Sequence, residues 1–191
     1  MVEQGHAVWL TGGTPKAVRK QVRKNLRTAT WEHRVPVFVA YNIPFRDCSQ
    51  YSAGGALDTA SYQAWIDAVA AGIGSRKAVV MLEPDSLGII PYDVDINGNM
   101  EWCQPTLPVG MTAAQANQAR YDQLAYAIDK LEAQPQASVY LDATHSNWLG
   151  VGDVSRRLVK AGVQKTQGFF LNVSNYQATD HLIKYGTWIS K

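Results

Sequence analysis

Only two cysteines, four phenylalanines and four histidines occur among the 191 residues, and each scarcity closes off a kind of chemistry. Cys48 and Cys103 stand far apart with no C-x-x-C pair, which argues against a thiolate zinc site; read alone, they are two buried thiols or one disulfide. No H-x-H or H-E-x-x-H occurs, so the histidines form no local metal-binding pair. Nowhere do about 20 apolar residues run together, so no transmembrane helix is expected. The opening "MVEQGHAVWL" lacks the basic start and apolar stretch of a signal peptide. Internal repeats, low-complexity tracts and obvious linkers are missing as well. The formal net charge is only +2, too weak a field to argue for nucleic acid. Basic residues do cluster in "KAVRKQVRKNLR", Lys16 to Arg27, but Val18, Val22 and Leu26 give that helix an inner side and leave the cations on a solvated face.

What is present describes a folded core. The hydrophobic fraction is 46%, with six Trp and nine Tyr, which argues against disorder. The length suits one domain and falls short of the roughly 250 residues usual for a complete α/β barrel. Strands are predicted at Val35 to Tyr41, Ala78 to Leu82, Ser138 to Leu141 and Gly168 to Leu171, all apolar or nearly so. Helices are predicted at Pro15 to Thr28 after Thr14, Tyr62 to Ala71 ended by Gly72, Ala113 to Glu132 after Thr112, and Val154 to Ala161 between Asp153 and Gly162. Alternating helices and apolar strands imply an α/β fold with a parallel sheet, either doubly wound or closed into a barrel. One long irregular stretch, Pro91 to Thr112, carries a turn signal at Asn97-Gly98.

In parallel α/β folds, ligands sit beyond the carboxyl ends of the strands. Those positions hold "YNIPFRDCSQYSAGG" with Tyr41, Arg46, Asp47 and Ser52, then "EPDSL" with Asp85. "DATHSNW" follows with Asp142, His145 and Trp148, and "NVSNY" with Asn172 and Asn175. Any one of these aspartates reads equally as a cap or turn residue; their repetition at strand ends points to a shared mouth. Glycoside hydrolysis by inversion needs a protonated carboxylic acid beside the leaving oxygen and polar groups that order a water on the far face of the sugar. Asp85 lies among Leu82, Leu87 and Ile89, so desolvation is expected to raise its pKa, and a charged Asp47 nearby would raise it further. Glu83 is expected to meet polar partners or support a loop and is given no proton-transfer role. The Asn172-Val173-Ser174 triplet fits the glycosylation pattern but ends a buried strand, and is read as chance.

The stretches "WLTGG", "YNIPFRDCSQYSAGG", "YQAWIDAVAAGIG", "VVMLEPDSLG", "YLDATHSNWLG" and "GFFLNVSNY" together resemble glycoside hydrolase family 6, the inverting cellulases, in order from Trp9 to Tyr176. The joint occurrence of "RDC", "EPD" and "YLDATHSNW" makes the resemblance specific. It implies a partial, distorted parallel β/α barrel with outer helices, needing no cofactor or metal. It implies Asp85 as general acid, and Asp47 as the carboxylate that raises the acid's pKa and holds a water chain, with Ser52 as a partner for that water. Tyr41 would lie beneath the distorted sugar ring, and Asp142 would bind sugar hydroxyls and lend electrostatic support. His145, Trp148 and Asn175 would line the cleft, Trp9 would stack on the glycone side, and Arg46 would position carboxylates. Cys48 and Cys103 match a family disulfide, which favours the bridged reading.

The implied substrate is β-1,4-glucan or cello-oligosaccharide, handled by an extracellular monomer without nucleic-acid or membrane partners. Endoglucanase is preferred to cellobiohydrolase, because the loop from Cys48 to Gly55 is short and Val151 stands where tunnel-forming relatives often place a Trp. Family domains usually begin before Trp9 and continue past Lys191, so residues 1–191 are expected to be one fragment of a catalytic domain. The rivals are a non-catalytic glucan-binding remnant, a metal-dependent hydrolase built on Asp47, Asp142 and His145, and a mere structural module, which would leave the strand-end clustering unexplained.

Overall fold

The structure is a computed structural model that describes residues 6–173 and 175–191; Ser174 of the glycosylation triplet lies outside them. Five parallel strands, β1 (Val8–Leu10), β2 (Val37–Ala40), β3 (Ala78–Leu82), β4 (Ala137–Asp142) and β5 (Gly168–Phe170), pair in the order of the chain. They alternate with helices α1 (Pro15–Trp31), α2 (Thr59–Ile73), α3 (Ala113–Glu132), α4 (Val151–Ala161) and α5 (Thr179–Ile189). A strictly sequential order decides between the two architectures left open by the sequence. Right-handed crossovers that always advance to the next strand put every helix on one face, whereas a doubly wound sheet must reverse direction. The helices do pack in succession, α1 on α2, α2 on α3, α3 on α4 and α4 on α5. The sheet is therefore an open arc of a parallel β/α barrel.

Register assigns the two faces. Leu10, Ala40, Leu82, Leu141 and Phe169 form one row, and these side chains pack with Val22, Trp65, Leu124 and Leu158 in the core beneath the helices. The neighbouring row is Trp9, Val39, Met81, Tyr140 and Gly168, which faces away from the helices. Tyr41 and Asp142 stand two residues beyond Val39 and Tyr140, and so share that second face.

Local signals explain most boundaries. The Thr14 hydroxyl accepts from the Ala17 N–H at 3.2 Å with Pro15 opening α1, and Thr112 with Gln115 closes a capping box on α3. Two expectations are corrected, and two elements are new. Gly72 does not end α2; a Cβ there would lie 2.9 Å from Val22, so this glycine permits close approach of α1, and the helix stops at Gly74 with φ 58°. Asp153 does not cap α4, which starts at Val151; its Oδ1 instead accepts the Ile96 N–H of the long loop at 3.1 Å. β1 and α5 were not expected, the first because three residues carry no period and the second because it lacks a side-chain cap and buries only Tyr185.

Candidate active site

The carboxyl ends of the strands carry unusual backbone. Asp47, Cys48, Glu83, Asp85, Thr144, Asn172 and Asn175 all have φ between 48° and 70°. A non-glycine residue in that region costs of order 1–3 kcal/mol and persists where surrounding contacts enforce it, most often at functional sites. Here the enforcing contacts can be named.

Asp142, 2% exposed, accepts the Asp85 N–H at 2.8 Å and the Thr144 N–H at 3.1 Å, both on Oδ2. Burial first, and then the negative charge of Asp85, push the Asp142 carboxyl well above the usual carboxylate range, while the two amides oppose the shift. Through these two amides its carboxyl clasps the Asp85 turn. Asp85 itself is half-buried, and its charge acts on Tyr41, Asp142 and His145, which places it at the centre of the group. A Cβ on Gly88 would stand 2.5 Å from the Trp148 ring, so the absence of a side chain there lets Trp148 lie on the turn that follows Asp85. His145, 8% exposed, tilts against Trp148 at 5.7 Å, and its Nδ1 accepts the Asn147 N–H at 3.3 Å. Burial lowers its pKa, with Asp85 opposing, so the imidazole is neutral near pH 7.

On the β2 side, Trp9 is 42% exposed and meets the Tyr41 ring edge-on at 5.7 Å. Tyr41 is buried, its hydroxyl pushed far up by desolvation and then by the charges of Asp85 and Asp47, so it stays a proton donor. Arg46 lies 4.7 Å over the Tyr41 ring and donates to carbonyls: Tyr41 at 2.6 Å, Ser52 at 2.7 Å and Thr11 at 2.8 Å. Arg46 thereby holds the backbone of the loop that carries Asp47. The Asp47 carboxylate in turn accepts the Ser52 N–H. Cys48 and Cys103 are joined in a disulfide with Cα atoms 5.9 Å apart, tying that loop to the long loop after β3. Asn175 is exposed beyond β5, and its carbonyl accepts from Gln177 Nε2 at 2.8 Å. Among the described residues no three metal-ligating side chains converge.

Glu83 meets polar partners and supports a loop as expected, whereas two buried arginines, Arg120 and Arg157, were not foreseen. Glu83, completely buried, accepts the Asn42 N–H at 2.9 Å and the Ile43 N–H at 3.0 Å, anchoring the chain just past Tyr41. Desolvation is the largest cause raising its pKa to about 7, against the amides, the Tyr62 hydroxyl and the Arg120 charge. Arg120, 2% exposed, has its pKa lowered to about 10 by burial and donates to the Pro44 carbonyl at 2.8 Å. Arg157 donates to the Leu87 carbonyl at 2.6 Å and pairs with Asp93 at 3.0 Å, fixing the far side of the Asp85 turn. Both arginines sit on the buried stripes of α3 and α4, beside Ala116 and Leu124 and beside Val154 and Leu158; a charge at an apolar-periodic position was the available signal.

Residues 1–188 match the family model described as glycosyl hydrolases family 6. The chain belongs to that family. It is 36% identical over 186 residues to Endoglucanase 1 of Streptomyces sp. strain KSM-9, covering 96% of this chain and 47% of that protein. It is 34% identical over 178 residues to Endoglucanase A of Thermobispora bispora, covering 93% and 35%. Among solved structures, the endoglucanase Cel6 from Mycobacterium tuberculosis, determined in complex with methyl-cellobiosyl-4-deoxy-4-thio-β-D-cellobioside, superposes with a TM-score of 0.81 at 37% identity. That match covers 96% of this chain and 57% of the mycobacterial one. The family 6 chain thus spans 35% to 47% of the length of these curated relatives.

Proposed function

We propose that residues 1–191 form part of the catalytic domain of a β-1,4-glucan hydrolase that acts by inversion in the manner of an endoglucanase. The observation that carries the reading is the clasp at Asp85. An acid in a left-handed turn has its amide fixed on the buried Asp142 carboxyl, and its charge reaches Tyr41, whose ring meets Trp9 edge-on. On this reading the glucan lies across Trp9, with Tyr41 under the ring next to the scissile bond. Asp85 protonates the leaving glycosidic oxygen while water attacks the anomeric carbon from the opposite face. Asp47, its loop braced by Arg46 and its carboxylate set by the Ser52 amide, orders that water. Asp142 acts by positioning Asp85, and Trp148 with neutral His145 walls the leaving-group side. Endoglucanase action is favoured by the names of the two curated relatives, and secretion by the disulfide, which forms in oxidising compartments.

Release of soluble cello-oligosaccharides from carboxymethylcellulose tests the reading, with Asp85→Asn expected to abolish it. Hydrolysis of an unactivated β-glucan that survives this substitution refutes Asp85 as the acid. A second reading is a glucan-binding segment without turnover, in which Trp9, exposed beside Tyr41, stacks on sugar; binding of cello-oligosaccharide with no new reducing ends would select it.

A further inference from the structure

Among the described residues, four large aromatics stand more than 70% exposed: Trp31 at 82%, Tyr51 at 107%, Trp102 at 75% and Tyr176 at 81%. Trp31 closes α1 and, because each helix runs back against its strand, lies at the end of the sheet remote from the site. Tyr51 and Trp102 belong to loops at the site end, and both loops are braced. Tyr51 is enclosed by two bonds to one residue, since the Gln50 N–H donates to the Asp47 carbonyl at 2.9 Å and the Ser52 N–H donates to the Asp47 carboxylate. Its ring therefore projects from a turn wound around Asp47. Trp102 precedes Cys103, whose Cα is 5.9 Å from that of Cys48. With neighbouring Cα atoms about 3.8 Å apart, the Trp102 Cα lies within about 14 Å of the Asp47 Cα.

The loop presenting Trp102 is held along its length. The Tyr92 N–H donates to Gln104 Oε1 at 2.7 Å, the Tyr92 hydroxyl to the Pro105 carbonyl at 2.8 Å, and the Ile96 N–H to Asp153 at 3.1 Å. Fixing a backbone while leaving its indole in water serves no packing purpose. It does suit a ligand that must be met by a flat apolar surface without the entropic cost of ordering a loop on binding.

We propose that Tyr51 and Trp102 form a second stacking platform, carried on the Cys48–Cys103 bridge, that extends the glucan path outward from the Trp9–Tyr41 pair and sets a preference for longer chains. This rests on the glucan reading above. Sugars held only between Trp9 and Asp85 would not reach it, whereas a longer oligosaccharide would.

The test is calorimetric binding of cellobiose and cellohexaose to the full chain and to its Tyr51→Ala, Trp102→Ala and Trp31→Ala variants. Cellohexaose affinity should fall about three- to tenfold in each of the first two, with cellobiose affinity and the Trp31→Ala variant unchanged. Trp102→Phe should restore most of the cellohexaose affinity, which a loss of fold would not. Unchanged cellohexaose affinity, or equal loss for both sugars, overturns the platform while leaving the glucan reading intact. If the unaltered chain binds neither sugar, the glucan reading fails and the platform with it.

Discussion

Replacing Glu83 by glutamine isolates the energy stored beneath the candidate site. Burial raises the carboxyl from an ordinary 4.5 to about 7 despite the Asn42 and Ile43 amides, the Tyr62 hydroxyl of α2 and the Arg120 guanidinium of α3. The folded chain therefore holds this proton more tightly than the unfolded chain does. Where the unfolded state binds fewer protons, stability falls as pH rises. Below 4.5 the carboxyl is neutral in both states and the penalty is absent; it grows through the window and is complete above about 7. At 1.36 kcal/mol for each tenfold change in proton affinity, the ionised form costs about 3 kcal/mol. Glutamine keeps an oxygen where Glu83 Oε2 accepts the two amides at 2.9 and 3.0 Å, and cannot ionise.

The assay is urea unfolding of both proteins at pH 4.5 and 7.5. The stability difference should move by about 3 kcal/mol in favour of Glu83→Gln on going to the higher pH, worth about 6–12 °C in melting temperature. Asp142, also raised, and His145, lowered and so opposite in sign, titrate in both proteins and cancel from the difference. A difference that stays constant across the window refutes the argument that the buried Glu83 ionises at a cost.

Three further outcomes rest on individual contacts. Arg157→Met removes the 2.6 Å bond to the Leu87 carbonyl and one partner of the buried Asp93, and should lower stability by about 2–4 kcal/mol in urea titrations; a loss under about 0.5 kcal/mol would deny it an anchoring role. The Cys48–Cys103 bridge closes a separation of 55 residues, so reduction should cost roughly 4 kcal/mol on the chain-entropy account, read as a lower unfolding midpoint in reductant. Gly55→Ala would set a Cβ 2.0 Å from the Ile43 carbonyl oxygen at a φ of 92°, and should cost about 2–4 kcal/mol by thermal melting followed by circular dichroism. An unchanged melt would contradict the close approach of that loop.

The α3 helix was legible residue for residue because its capping box, apolar stripe and length agree, and β3 because five apolar residues sit between a loop and an acid. β1 was not legible, since three residues become a strand only by pairing Val8 to Leu10 with Phe38 to Ala40. Likewise the order of strands, and hence an arc with all helices on one side, is a property of pairing between distant segments. At the site, the sequence by itself determined which residue types end each strand: Tyr41, Asp47, Asp85, Asp142, His145 and Trp148, because those positions follow apolar runs. Only the tertiary structure decided what each does. Burial depth and neighbours set that Asp142 faces amides, that Arg46 holds carbonyls, and that Glu83, Arg120 and Arg157 brace the loops from below. A side chain's partners and dielectric come from residues 40 to 76 positions away, as with Glu83 to Ile43 and Arg120 to Pro44, and no local pattern encodes them.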